Sequence, residues 1–140
     1  MTVGAPWTDP EVIRRVLTSC DTWAVVGLAD NPSRAAYGVA RTLQRAGKRI
    51  VPVHPRAESV HGEPGYRSLA EIPFPVDCVD VFRRSDAAGA VADEALAVGA
   101  RAVWFQLDVV DAEAYRRVTA ADVDMVMDRC PAIALPRLGY

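Results

Sequence analysis

The sequence lacks most of what would tie it to a membrane, a nucleic acid or a secreted scaffold. No apolar run approaches the ~20 residues that a bilayer-spanning helix needs. There is no excess of basic residues: the formal net charge is −2 and the pI about 5.6. That balance gives no basic stripe with which to hold nucleic acid or anionic lipid, so neither is expected as a partner. Cysteine is scarce, and Cys20, Cys78 and Cys130 are odd in number and far apart. Such spacing fits neither a disulfide framework nor a zinc site and points to reduced thiols in a cytoplasm. Histidine occurs only as His54 and His61, without a third ligand nearby, so no metal is expected. The first ten residues have neither the basic start nor the apolar run of a signal peptide. No repeat or low-complexity segment interrupts the chain.

What is present is ordinary globular material. The 140 residues are 51% hydrophobic and 24% charged, which suits one domain around one sizeable core. Residues 1–7 are expected to be a flexible N-terminus and residues 129–140, with two prolines, an irregular C-terminal tail.

Helical and strand patterns alternate. In "TDPE", Thr8 is the expected cap, with Pro10 in the first turn and Glu11 reaching back. Val12, Ile13, Val16 and Leu17 then recur at helical spacing, predicting a helix to about Ser19. A continuous apolar run at 23–28 predicts a strand buried on both faces. After a polar loop, Val39, Leu43 and Ala46 mark a helix that Gly47 ends, and 49–53 is a second strand. A connection rich in Pro, Gly and His follows, with a minimal helix at 68–72. The third strand, 76–82, carries Asp77 and Asp80, which suggest an edge position. Ser85 or Asp86 should cap a helix closed by Gly99, the stretch 101–107 is strand four, and Trp104 within it is expected in the core. Asp111 caps a further helix, and 123–128 is strand five. Strict alternation at this spacing predicts an α/β fold, doubly wound, with a five-stranded parallel sheet and helices on both faces. Ligands of such sheets bind beyond the carboxyl ends of the strands, where the strand order reverses.

At the first of those ends the chain reads "VVGLADNPSRAAYG". A nicotinamide-binding turn wants G-x-G-x-x-G and an acid about 20 residues on. Here Gly27 is followed by no glycine until Gly38, and the second strand ends in "VPVHPR" without an acid. NAD thus loses two of its determinants, whereas Arg56 could still meet the 2′-phosphate of NADP. Ser33, Arg34 and the free amides entering the next helix form an anion-binding end, and Arg56 adds charge at the neighbouring strand. That layout suits a pyrophosphate with one further phosphate.

Together, "AVVGLADNPSRAAYGVARTLQRAGKRIVPVHP", "VHGEPGYRSLAEIP", "VDCVDVFRR", "AVWFQLDV" and "VMDRCPAI" resemble the stand-alone bacterial CoA-binding proteins. These are similar in turn to the CoA-binding domain of the succinyl-CoA synthetase α subunit and of NDP-forming acyl-CoA synthetases. The resemblance runs from about Trp7 onward and implies coenzyme A or an acyl-CoA as ligand. By position it implies that Gly27, Ala29, Ser33, Arg34, Tyr37 and Gly38 hold the CoA phosphates. Val53, His54, Pro55 and Arg56 would flank the adenosine, and Phe82, Arg83 and Gln106 would line the rest of the groove. The synthetases need a phosphorylated histidine and a nucleotide-grasping domain that this sequence does not offer, so binding without catalysis is expected. The alternative is an NADP-binding or small acyl-transfer enzyme whose site the sequence does not advertise. Cys130, beside Arg129 and past the fifth strand, is a candidate redox thiol, against its reading as a small buried hydrophobe. No protein partner is indicated.

Overall fold

The computed structural model describes residues 4–140. After a 3-10 turn at Pro6–Thr8 come α1 (Pro10–Ser19), β1 (Thr22–Val26), α2 (Ala35–Arg45) and β2 (Arg49–Val53). A 3-10 turn at Leu69–Glu71 precedes β3 (Cys78–Val81), α3 (Ser85–Ala97), β4 (Ala102–Phe105), α4 (Ala112–Ala120) and β5 (Asp124–Val126). The chain closes with α5 (Pro131–Ala134) and a 3-10 turn, Leu135–Leu138. All five strands are parallel and lie in the order β2-β1-β3-β4-β5. The predicted doubly wound α/β architecture is the one observed. Among the described residues no helix is long and apolar enough to cross a membrane.

Strand periodicity divides the core in two. Ala24, Val26, Val79, Val81, Val103 and Phe105 point to the face covered by α3 and α4. Trp23, Val25, Cys78 and Trp104 point to the face covered by α1, α2 and α5. There the indoles of Trp23 and Trp104 meet with centroids 5.8 Å apart. Each ring nitrogen still finds a carbonyl: Trp23 Nε1 donates to Cys20 O at 2.9 Å and Trp104 Nε1 to Arg129 O at 2.8 Å. Trp104 is therefore core, and its bond also fastens the chain leaving β5.

Several expectations are corrected. Thr8 does not cap α1: its hydroxyl donates to Ala5 O within the preceding turn, and Asp9 takes over by accepting from Glu11 N at 2.9 Å. Ser85 lies inside α3, whose cap position is Arg84 without a side-chain bond. The Ser85 hydroxyl instead accepts from Val110 N at 3.0 Å and donates to Asp108 O at 3.3 Å, tying down the loop after β4. Of the stretch expected to be flexible, residues 1–3 lie outside the described residues. Trp7 is held, its carbonyl accepting from Met127 N at 3.1 Å and its ring standing edge-on to Tyr115. The tail is not irregular: Pro131 starts α5, where its missing N–H costs nothing, and Leu135 packs into the core.

The edge assignment of β3 also fails, for a reason that concerns both acids. β3 lies at the centre of the sheet. Asp77 precedes it and accepts from Asp21 N and Thr22 N, each at 3.0 Å, beside Arg101 at 3.3 Å. Burial opposes its ionisation, yet the two amides and the guanidinium hold its carboxyl below the usual range. Asp80 is fully buried, with no hydrogen-bond partner on either oxygen, and burial pushes its carboxyl well above the usual range. An acid that keeps its proton can occupy a central strand.

A pH dependence follows from Asp80. Because its folded-state pKa is raised, the fold holds a proton that the unfolded chain releases. The associated stability is complete below the unfolded carboxyl pKa near ~4 and is lost as pH rises from there through the folded-state value. Asp80→Asn should remove this component, so the variant gains on the wild type as pH rises, by up to about 1.4 kcal/mol per pH unit inside that window. Urea unfolding of both proteins between about pH 4 and 8 checks this; parallel profiles would contradict it.

Candidate functional site

β1 has β2 on one side and β3 on the other, so α2 and α3 leave the sheet in opposite directions from adjacent strands. Beyond the carboxyl ends of those strands a crevice must open. It is a cleft of about 630 Å³, walled by the loops after β1, β2, β3 and β4.

Its back wall depends on Gly27. Here the chain turns out of β1 with φ +103°, and a Cβ would stand 2.6 Å from Phe82 O. Gly27 N donates to Val53 O at 2.8 Å, while Phe82 N donates to Val26 O at 2.9 Å, so three strand ends are clamped together. The polar loop that follows folds around Asn31, whose side-chain oxygen accepts from Ser33 N at 3.0 Å and Ser33 Oγ at 2.7 Å. The chain then enters α2 at the cleft, where Ala35 and Ala36 form part of the wall.

Side-chain caps differ among the helices, and α5, which begins outside the cleft wall, has none. α1 and α4, whose N-termini lie outside the cleft wall, are capped by Asp9 and Asp111. α2 and α3, which begin at the cleft, follow Arg34 and Arg84 and have no side-chain cap. Their first amides remain free to bind an anion, with the helix dipoles adding to the attraction. Arg34, Arg56, Arg83 and Arg84 all line this space, with Asp108. Arg56 and Arg84 pair with Glu58 and Asp86 at 3.3 and 3.4 Å, both at exposed positions, whereas Arg34 and Arg83 have no such partner among the described residues. His54 reports the resulting field: burial first, then Arg56, Arg83 and Arg34 push its pKa down, against Glu58. Its Nδ1 accepts from Arg56 N at 3.2 Å, which leaves the proton of the neutral ring on Nε2.

In the part of the cleft after β3 and β4, the apolar side chains of Phe82, Leu107 and Val109 stand among Arg83, Arg84, Ser85 and Asp108, and Leu107 is 47% exposed. Gln106 lies at its floor, only 6% exposed, with Oε1 unpartnered. The hydroxyl in the lining, that of Ser85, is already engaged both as donor and as acceptor. The cleft thus combines arginines and free helix amides with apolar side chains and presents no activated nucleophile among the described residues.

Of the residues singled out in the sequence, Gly27, Ala29 and Arg34 meet His54 and Arg56 across the cleft, and Phe82, Arg83 and Gln106 complete the wall. The others lie elsewhere. Ser33 is bound to Asn31, and Pro55 is an exposed turn residue. Val53 is buried core and acts through its carbonyl. Tyr37 and Gly38 belong to α2 behind the wall; Tyr37 O is bonded to His61 Nε2 at 2.8 Å, and the two rings are 4.2 Å apart. His61 therefore supports α2 and is not a companion of His54. Cys130 is 7% exposed and packs in the core at the start of α5, outside the cleft wall. The sequence reading did not single out Asn31, Arg84, Leu107, Asp108 and Val109. The basic residues at the strand ends gave a signal for Arg84, but the loop after β4 is set from a distance by Asp128, whose carboxylate accepts from Asp108 N at 2.8 Å.

Fold and cleft together define an α/β domain with an anion-receptive cleft at the switch point of its sheet. The chain belongs to the CoA-binding domain family, whose profile matches residues 21–136. It is similar to the protein YneT of Bacillus subtilis, 38% identical over 122 residues, covering 87% of this chain and 90% of that one. A hypothetical protein from Pyrococcus horikoshii superposes with a TM-score of 0.90 at 31% identity, over 99% of each chain. A shorter match, 38% identical over 55 residues, links 39% of this chain to 12% of the α subunit of the ADP-forming acetate–CoA ligase II of Pyrococcus furiosus.

Two glycines of the first loop and helix should respond oppositely to alanine. Gly27→Ala should destabilise the fold by about 1–3 kcal/mol through backbone strain alone, with the clash at Phe82 adding to it. Gly38→Ala, in a helix with nothing within 4 Å of the new Cβ, should stabilise by roughly 0.5–1 kcal/mol. Denaturant melts of the two variants measure both. An anion entering between the arginines should raise the His54 pKa, because it offsets the charges that now depress it. NMR titration of the imidazole with and without ligand would reveal that rise or its absence.

Proposed function

We propose that this protein binds coenzyme A or an acyl-CoA in the cleft and does not transform it. The observation that carries the reading is the gathering of Arg34, Arg56, Arg83 and the uncapped N-termini of α2 and α3 around one cleft that also presents the apolar side chains of Phe82, Leu107 and Val109. Coenzyme A offers partners for both: a pyrophosphate and a 3′-phosphate for the cations, and a long amide-bearing arm with a thiol for the apolar side chains. In this reading the α2 N-terminus and Arg34 hold phosphate, His54 and Arg56 flank the adenosine end, and Phe82 and Gln106 lie along the arm. The residues present fit the group: the arginines and the free first amides of α2 suit its phosphates. The family supports a CoA-related ligand.

Binding without catalysis is favoured by the lining itself. Ser85 is locked in two hydrogen bonds, and His54 already uses Nδ1 to accept a backbone amide. Neither forms the nucleophile–base pair that group transfer requires. Three unpaired cysteines suit a reducing cytoplasm as the setting.

Thermal melts with CoA, NADP and NAD test the ligand. A ligand that binds only the folded state adds about 2.7 kcal/mol of stability at a hundredfold excess over its dissociation constant. CoA should give the largest upward shift, and a shift with NAD but not CoA would end this reading. Arg34→Ala should weaken CoA by roughly 1.5–3 kcal/mol and dephospho-CoA by less, if the guanidinium meets the 3′-phosphate. Calorimetric titration separates the cases: equal losses move Arg34 to the pyrophosphate, and no loss removes it from the site.

A further inference from the structure

Two of the three thiols meet at the amino ends of the strands, across the sheet from the cleft. Cys20 ends α1, its N donating to Val16 O at 3.1 Å, and its carbonyl accepts from Trp23 Nε1 at 2.9 Å. Cys78 opens β3 directly opposite Trp23. The chain just after Cys20 is bonded to the residue just before Cys78. Asp21 N and Thr22 N donate to the Asp77 carboxylate, each at 3.0 Å, and Asp77 N donates to Thr22 O at 3.0 Å. Between these anchors the Cys20 and Cys78 side chains enter one core and hydrogen-bond each other. Arg101 is beside them, donating to Ser19 O at 2.7 Å and pairing with Asp77 at 3.3 Å. The hydrogen bond from Cys78, and then Arg101, lower the Cys20 pKa against burial, whereas burial pushes the Cys78 thiol well up. Cys20 is thus the readier nucleophile and Cys78 its proton-bearing neighbour. Cys130 lies past the carboxyl end of β5, at the opposite edge of the sheet.

We propose that Cys20 and Cys78 are a redox modification site, closed by hydrogen peroxide into a disulfide that ties the end of α1 to the start of β3. The site is independent of what the cleft binds. In the first step the Cys20 sulfur attacks one peroxide oxygen and the O–O bond breaks. The leaving hydroxide takes the Cys20 proton and departs as water, and Cys20 becomes a sulfenic acid. In the second step the Cys78 sulfur attacks Cys20 Sγ: the S–S bond forms, the S–O bond breaks, and the hydroxide leaves as water with the Cys78 proton. The sulfur pair gives up the two electrons that reduce the peroxide to water. Burial selects so small an oxidant. Cys20 is 2% and Cys78 0% exposed, which keeps a bulky disulfide out. Cys20 nevertheless sits between the exposed Ser19 and Asp21, where fraying of a helix end admits a small molecule. With the flanking backbone already held, closing the sulfurs to the ~2 Å of a disulfide asks for side-chain rotation. Thiol reductants reopen such a link, as befits a sensing disulfide in a reducing compartment. The link closes the loop that contains β1, α2 and β2, so it restricts the unfolded chain more than the folded one.

The test exposes the reduced protein to hydrogen peroxide, alkylates the remaining thiols in denaturant and maps the tryptic peptides without reductant. The expected map links peptides 16–34 and 68–83 and leaves only Cys130 alkylated, and dithiothreitol should restore all three thiols. The oxidised protein should melt higher than the reduced one by roughly 5–15 °C. Cys78→Ala should stop at the Cys20 sulfenic acid, which dimedone traps, and Cys20→Ala should give no dimedone adduct at Cys78. The wild-type map decides the link even where a variant fails to fold. Three alkylated thiols, a link through Cys130 or between two chains, or a link that leaves the melting temperature unchanged or lower would overturn the proposal. So would dimedone on Cys130 in place of Cys20 in the Cys78→Ala protein.

Discussion

At the parting of β1 and β3 the backbone after β3 passes so close to Gly27 that a single added carbon there would stand 2.6 Å from Phe82 O. Nothing larger than glycine fits without a shift of backbone. From that contact the rest follows. The close approach lets Gly27 N reach Val53 O and Phe82 N reach Val26 O, so the ends of β2, β1 and β3 are locked at one level. With the strand ends locked, α2 and α3 must start from adjacent points and diverge, and the space between their first turns is the cleft.

The same geometry governs the electrostatics. A helix that begins over solvent or a neighbouring loop can take an aspartate as its cap, as α1 and α4 do. At the cleft α2 and α3 follow Arg34 and Arg84 without a side-chain cap, which leaves their first amides open to an anion, with Asp86 in the first turn of α3 paired to Arg84. Burial first, and then Arg56, Arg83 and Arg34, depress the His54 pKa, and the arginines with the uncapped helices gather positive charge at the switch point of the sheet. The two aspartates of the third strand region show the contrast away from the cleft: amides and Arg101 favour the charged form of Asp77, whereas burial without a partner disfavours that of Asp80.

Much of this was legible in the sequence, because it depends on local pattern. The alternation of apolar runs and amphipathic stretches determined the doubly wound α/β class, and "RIVPV" matches β2 residue for residue. The glycine-poor, basic first loop pointed to a ligand richer in phosphate than NAD, and Gly27, Arg34, His54, Arg56, Phe82, Arg83 and Gln106 do meet around one cleft. What only the tertiary structure decided is where side chains point and whether an acidic residue is charged. Tyr37 and Gly38 follow closely on Arg34 in sequence, yet the turn of α2 carries them behind the wall. Asp80 reads as an edge marker until burial is known to keep its proton on. Leu107, Asp108 and Val109 join the site only because Asp128 and Ser85, distant in sequence, hold their loop. Periodicity and turn chemistry are properties of neighbours along the chain; the direction of a side chain and the ionisation of an acid are set by neighbours in space.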